Sequence, residues 1–339
     1  MGALIKNLQI KNFKSVRDLS LDCERINIFI GKPNAGKSNI LEAISLLGAG
    51  YSVGNFKGKI MEGFIRYQTL VQLFSNFDYH NFIEIKTEQA RCTLGIDRDK
   101  ENYEYFLTLL NPEKNDKSIV PFLEIGCSKT GEINTIGGTS GPITVMVKKY
   151  TFRLFEEFKD NDLSLHPPYG NNFYFIVRSH PELLAEIQRF LQPNGLEFLL
   201  DEESQRMMIV RRTETTLISF PMHLVPDTFQ RYIFHLAAIM SNSDSVLLFE
   251  EPETHSYAPY VYQLAQHIIQ DEQNNQYFLT THNPYFLLPI LEEARDVAVF
   301  FTWFENYQTH ARRLSEEEIR IILNDGIDVF INPDSLIAV

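Results

Sequence analysis

Two rhythms alternate along this chain. Residues 3–10 and 16–21 are short runs of apolar and β-branched side chains, joined by Lys11-Asn12-Phe13-Lys14-Ser15. They predict a pair of antiparallel strands. Residues 25–30 are almost continuously apolar, which predicts a strand buried on both faces, and the run stops at Gly31. From Lys37 the period lengthens. Ile40, Leu41, Ile44 and Leu47 recur at helical spacing, with Gly48 as the expected C-terminal cap. The order is strand, glycine-containing loop, helix.

The middle of the chain changes character. Residues 81–147 read as strands and turns, punctuated by Asn111-Pro112, Gly126, Gly131 and the stretch 137–142. Residues 151–159 and 181–191 have helical spacing, and 196–200 with 207–211 predict a hairpin around Asp201-Glu202-Glu203-Ser204. The α/β rhythm then returns. A helix is predicted over 228–240 and a buried strand over 245–249. A second helix follows over 260–270, with Val261, Leu264, Ala265 and Ile268 on one face. Strands at 277–281 and 297–301 complete the set. No heptad array and no repeat period is present. The expected organisation is an α/β core split between residues 1–80 and 220–305. A β-rich and helical lobe is inserted over 81–219, and 306–339 extend the core.

The loop after the first buried strand carries chemistry. Gly31-Lys32-Pro33-Asn34-Ala35-Gly36-Lys37-Ser38 matches G-x-x-x-x-G-K-[ST]. Gly31 and Gly36 permit the tight backbone that aims N–H groups at phosphate oxygens. Lys37 supplies a point charge to the β/γ-phosphates, the Ser38 hydroxyl can ligate Mg²⁺, and the helix N-terminus favours an anion. Asn39 adjoins this nucleotide-binding set. A random chain of this length matches the pattern at roughly the 1% level, and the strand–loop–helix setting makes a chance match rarer still.

Two further strands end in polar groups. Leu247-Leu248-Phe249 runs into Glu250-Glu251-Pro252-Glu253, and 277–281 runs into His282. In an open α/β sheet, strand C-termini face the ligand crevice. One acid can hold magnesium and the next can orient or deprotonate a water. His282 stands where a polar side chain would face the γ-phosphate, although a lone histidine is more often a structural hydrogen-bonder.

Composition narrows the partners. The 339 residues carry 44 acids against 31 bases, a net charge of -13. Such a surface repels phosphate backbones unless bases cluster locally. Lys148-Lys149, Arg211-Arg212 and Arg312-Arg313 are the local candidates. Cys23, Cys92 and Cys127 lie far apart, with neither zinc-ligand nor disulfide-framework spacing, which suits a reducing compartment. No signal pattern and no apolar run near 18 residues is present, so a soluble cytoplasmic protein without a membrane partner is expected.

In this order, the three motifs resemble the ABC-type ATPase heads of the SMC, RecF and overcoming-lysogenization-defect (OLD) group, over residues 3–48 and 224–301. The run from Glu250 through Thr254-His255-Ser256-Tyr257-Ala258-Pro259 is similar to small bacterial AAA-family ATPases on the OLD side. The resemblance implies an α/β head with a mixed sheet around the phosphate loop. It implies ATP and Mg²⁺ at Lys37 and Ser38, Glu250 as the magnesium-side acid, Glu251 as catalytic base and His282 as switch histidine. The segment 254–257 would cross to a second subunit.

The family's signature helix corresponds to Leu224-Val225-Pro226-Asp227-Thr228-Phe229-Gln230-Arg231, with Pro226 where a serine is expected. Asp227 would cap that helix, and Thr228 and Arg231 would reach the phosphate of a second subunit. The resemblance also implies a magnesium-side glutamine, Gln72 or its neighbour Gln68, and a basic residue near the nucleotide, Lys14. The C-terminal nuclease domain of OLD proteins has no counterpart in the 57 residues after His282. Glu316-Glu317-Glu318 read as the start of a helix near Ser315, and Asp325, Asp328 and Asp334 lack a strand-end setting.

The implied function is an ATP-hydrolysing switch. It would assemble head-to-head as a dimer or higher homo-oligomer and control a separately encoded effector, in the manner of anti-phage defence systems. A RecF-like DNA clamp and a non-hydrolysing scaffold are the alternatives.

Overall fold

The structure, a computed structural model, describes residues 5–53, 58–97, 104–110, 123–138, 146–153, 163–325 and 330. The chain opens with β1 (Asn7–Phe13), β2 (Val16–Asp22) and β3 (Ile26–Ile30), then α1 (Lys37–Ser45) and the short α2 (Ala49–Ser52). Six strands follow: β4 (Ile83–Lys86), β5 (Arg91–Asp97), β6 (Glu104–Leu110), β7 (Leu123–Cys127), β8 (Ile133–Gly137) and β9 (Val147–Tyr150). Next come α3 (Phe173–Ser179), α4 (Pro181–Leu191), β10 (Glu197–Asp201), β11 (Arg206–Arg212) and β12 (Leu217–Pro221). The last part alternates: α5 (Asp227–Met240), β13 (Val246–Glu250), α6 (Ala258–Ile269), β14 (Gln276–Thr280), α7 (Pro284–Glu293), β15 (Val297–Glu305), β16 (Gln308–Arg313) and α8 (Glu316–Asp325).

A six-stranded sheet ordered β16-β15-β3-β14-β13-β9 forms the centre. Its strands run parallel except for β16, the antiparallel edge. Parallel strands covered on both faces need apolar side chains on both, and every residue of β3 and β14 is buried. Alternate side chains enter two cores. Ile28, Leu247, Phe249 and Leu279 pack against α3–α7. Phe29, Leu248, Phe278 and Phe300 pack against α1 and a second, seven-stranded sheet, β2-β1-β4-β5-β6-β7-β8. The strands β10, β11 and β12 form a small third sheet.

Several expectations change. The predicted lobe does not begin with a new sheet at residue 81: β4–β8 continue the sheet opened by β1 and β2, and β9 returns to the parallel core beside β13. Gly48 does not end the helix. Helical backbone runs through it into α2. A Cβ there would meet the Val147 carbonyl oxygen at 2.2 Å, so this glycine serves a close approach to β9. Residues 151–153 are not helical, and 154–159 lie outside the described residues. The predicted hairpin is present, with Asp201 opposite Arg206. Elements that escaped the hydrophobic pattern include α3, β12, α7 and β16. The helix α7 contains Pro289, which reads as a breaker. The hairpin β15–β16 turns on Asn306 and Tyr307, both in left-handed backbone, whereas glycine is the usual signal.

Candidate functional site

The phosphate loop leaves β3 and enters α1 through left-handed backbone at Gly31 (φ 137°), Asn34 (φ 62°) and Gly36 (φ 98°). It is cradled from outside. A Cβ on Gly31 would lie 2.0 Å from the Thr302 carbonyl oxygen of β15, and one on Gly36 would lie 1.9 Å from Thr309 Oγ1 of β16. The Thr309 hydroxyl donates to the Ala35 carbonyl at 3.0 Å. Asn39 Nδ2 donates to Ser15 Oγ at 2.7 Å, and Ser15 meets Thr309 at 2.6 Å. Both glycines are therefore required twice over, by backbone angle and by space.

Lys32, Pro33 and Asn34 are exposed at the rim, and Lys37 is buried beneath the loop. Its ammonium donates to the carbonyls of Gly31 at 2.9 Å and Lys32 at 2.8 Å. Burial lowers its pKa to about 8, against the opposing pull of Glu251 and Glu250. Below that pH it is a cation placed for phosphate.

The Ser38 hydroxyl donates to the Glu250 carboxylate across α1 and β13. Burial alone would raise the Glu250 pKa. Lys149 at 3.7 Å, the Ser38 hydroxyl and Arg66 at 3.4 Å outweigh it and hold the pKa below the usual range. Glu250 thus stays ionised. These two oxygens fit a hard cation such as Mg²⁺, which takes one or two protein oxygens and keeps several waters.

Glu251 follows in left-handed backbone (φ 44°), with its N–H donating to Thr280 at 3.1 Å. That local turn swings its carboxylate to 3.5 Å from His282 Nε2. Burial first, then the Lys37 ammonium, lowers the His282 pKa, and Glu251 opposes. The ring is therefore predominantly neutral at pH 7. Lys37, Ser38, Glu250, Glu251 and His282, drawn from three separate motifs, thus lie close together where β3, β13 and β14 end.

The surrounding cations were less legible. Glu42 on α1 is fully buried and receives Lys14 and Arg66, the latter at 2.7 Å. Glu42 lies four residues after Ser38, on the same helix face, and that spacing was the available signal. Lys14 is held by Glu42, one turn of α1 beyond Ser38, and by the Arg66 carbonyl at 2.8 Å. Lys148 and Lys149 are not a solvated basic pair. Both are buried, Lys148 on Asn242 at 2.5 Å and Lys149 on the Phe64 carbonyl at 2.8 Å as well as Glu250. Buried polar groups need partners, and these lie far away in sequence.

Gln72 and the signature segment have local partners within the chain. Gln72 spends its side-chain oxygen on the N–H groups of Gln68 at 2.7 Å and Thr69 at 3.1 Å, closing a capping box on its own short helical turn. Asp227 does not cap α5. It is the first helical residue, after Pro226, and its carboxylate pairs with Arg231 at 2.6 Å. Arg231 also lies 4.8 Å over the Phe152 ring. Thr228 Oγ1 accepts the Tyr257 N–H at 3.2 Å, joining α5 to the 254–257 segment. Leu224 and Tyr257 flank this face at 64% and 62% exposure.

The fold is that of an ABC/SMC-type ATPase head. The solved SMC head bound to the C-winged helix domain of ScpA shares the fold. The TM-score is 0.54 at 12% identity, over 94% of this chain and 100% of that one. Two family models cover overlapping parts of the chain. "AAA ATPase domain" matches residues 4–166, and "AAA domain, putative AbiEii toxin, Type IV TA system" matches 133–288.

Among relatives, the DNA replication and repair protein RecF of Glaesserella parasuis is 29% identical over 114 residues. An uncharacterized protein of Methanocaldococcus jannaschii is 50% identical over 44. These matches cover 33% and 13% of this chain, and only 28% and 20% of the relatives' own lengths. An ATP/GTP phosphatase of Helicobacter pylori is 22% identical over 327 residues, 84% of this chain and 86% of its own. The chain is thus similar to AAA ATPases of the ABC/SMC/RecF kind and shares the fold of their heads.

Proposed function

We infer that this chain binds ATP with Mg²⁺ and hydrolyses it between two head-to-head copies, and that the cycle controls a separately encoded effector. The observation that carries hydrolysis is the Glu251–His282 approach, at the ends of adjacent strands β13 and β14 and beside the Ser38–Glu250 contact. Backbone N–H groups of 34–38 and the Lys37 ammonium hold the phosphates. Ser38 and Glu250 hold Mg²⁺, which supplies charge neutralisation of the phosphate oxygens. Glu251 accepts a proton from the attacking water. His282, neutral and so able to donate or accept, orients that water or the γ-phosphate. The face at half-buried Thr228, flanked by the exposed Leu224 and Tyr257, suits a second copy closing over the nucleotide.

Control of an effector, and a place in anti-phage defence, extend this reading by resemblance. The SMC head's complex with a ScpA domain supports a partner-bearing head. The RecF relative favours a DNA clamp as the second reading, but the basic pairs weigh against it. Lys148 and Lys149 are buried, Arg212 pairs with Glu197, Arg312 with Glu318 and Arg313 with Glu24.

A cavity of about 420 Å³ lies between the 32–35 part of the loop and residues 301–305 of β15. It contains Trp303, the chain's one tryptophan. Titrating ATP while following its emission tests binding directly. Wild type should saturate, and Lys37→Ala should lose affinity by about 100-fold or more. Equal affinity in the two would remove the loop from the site.

A further inference from the structure

Glu253 is buried three residues beyond Glu250, and no step above uses it. Its side chain belongs to a residue only 6% exposed. One carboxylate oxygen, Oε1, accepts from the Thr281 hydroxyl and from the His282 N–H at 3.3 Å. The other, Oε2, is buried without a hydrogen-bond partner. Burial pushes its pKa up to about 7. The Thr281 and His282 hydrogen bonds oppose that rise, and the neighbouring Glu251 charge adds to it. An apolar side chain would fill this space without burying an unpartnered oxygen. The carboxyl is therefore costly, and what it holds is the turn from β14 into α7. Thr281 Oγ1 accepts the Asn283 N–H at 3.0 Å, and the Asn283 side chain caps α7 through the Tyr285 N–H at 2.9 Å. On its other side, the Glu253 carbonyl accepts the Ser256 N–H at 3.0 Å, one residue before the Tyr257–Thr228 link.

The geometry points to Glu253 as a positioning residue. Its carboxyl fixes the backbone of His282 through Thr281, so that the imidazole keeps its approach to Glu251. The same residue ties that approach to the 254–257 segment and the start of α5. This assignment rests on the hydrolytic reading of Glu251 and His282. Displacing a reacting group by about 1 Å can cost 100-fold in rate, so a lever on the His282 backbone acts on turnover and not on nucleotide affinity.

The test compares Glu253→Ala, Glu253→Gln, Thr281→Val and Thr281→Ser in the full chain, measuring ATP affinity, kcat, KM and Tm. Glutamine keeps an accepting oxygen and serine keeps the donating hydroxyl. Both should retain kcat within about threefold. Glu253→Ala and Thr281→Val should each lower kcat by about tenfold or more, with KM and ATP affinity within about twofold. The double variant should fall no further than the worse single, because both remove one link. If Glu253→Ala does not fold, Thr281→Val carries the same comparison.

Wild-type kcat in Glu253→Ala and Thr281→Val would overturn the assignment, as would a loss in Glu253→Gln equal to that in Glu253→Ala. Glu251→Gln separates the two levels. If it is inactive while Glu253→Ala is fully active, only the positioning role falls. If Glu251→Gln turns over normally, the hydrolytic reading falls first and takes the positioning role with it.

Discussion

The phosphate-loop end and the α5 end of this molecule treat charge in opposite ways. At the loop, Lys14, Arg66 and Lys149 converge on Glu42 and Glu250, and each cation has an acid within 3.7 Å. Much of the network is buried, and its members come from the β1–β2 turn, α1, the segment after α2, β9 and β13. At α5, Asp227 and Arg231 pair with each other, while Leu224 and Tyr257 face outward. One region is finished within the chain. Its dipoles and charges are fixed before any substrate arrives, which is how preorganised sites stabilise developing charge. The other presents a helix start and the exposed apolar side chains of Leu224 and Tyr257, which no described residue covers. A composite ATP site needs that asymmetry.

The largest expected effect lies at the finished end. Glu251→Gln should keep ATP affinity and lower turnover by about 100-fold or more, read as phosphate release at saturating ATP. Removing a cation from the network comes next. Lys149→Met leaves the Glu250 carboxylate with Ser38 and Arg66 as its hydrogen-bond partners among the described residues, and breaking a buried pair from one side costs about 3 kcal/mol. Chemical denaturation should show that loss. A Cm equal to wild type would mean that Arg66 compensates and the network is redundant.

The third effect depends on pH. Glu253 is held near 7 when folded against an ordinary 4.5. Between those values the folded state keeps a proton that the unfolded state has released. Its contribution to stability is therefore fully present below about 4.5 and is lost as pH rises through about 7. Relative to Glu253→Gln, wild type should lose roughly 3 kcal/mol between pH 4.5 and 8. Parallel stability curves for the two proteins would place the Glu253 titration elsewhere. The smallest effect is at the open end. Arg231→Ala removes a partly exposed ion pair, worth at most about 1 kcal/mol to folding. It should lower turnover about tenfold if Arg231 serves a second copy's phosphate. Unchanged turnover would confine Arg231 to α5.

The same contrast explains what could be read from the sequence. Local signals were legible. The strand–loop–helix around Lys37, the acids after β13 and the histidine after β14 each declare themselves within a dozen residues, and the parallel sheet then gathers them at one edge. The Ser315 start of α8 was legible too, and Glu318 closes a capping box there. Pairings between distant segments were not. Two adjacent lysines in β9 resemble a solvated surface until β13 brings Glu250 beside one of them. Glu42 looks like the polar face of a helix until Lys14 and Arg66 arrive from other elements. The local partners of Gln72 and Asp227 were hidden for a different reason: polar side chains near a helix start satisfy nearby backbone or neighbours first, and family position does not reveal that choice.

The most direct measurement of the central claim is solution mass for wild type and Glu251→Gln, each with and without ATP and magnesium, beside phosphate release. The account predicts that ATP with magnesium raises the mass from one copy to at least two. It also predicts that Glu251→Gln traps that larger species with phosphate release nearly abolished. A mass indifferent to ATP in both proteins, with no phosphate released by wild type, would contradict it.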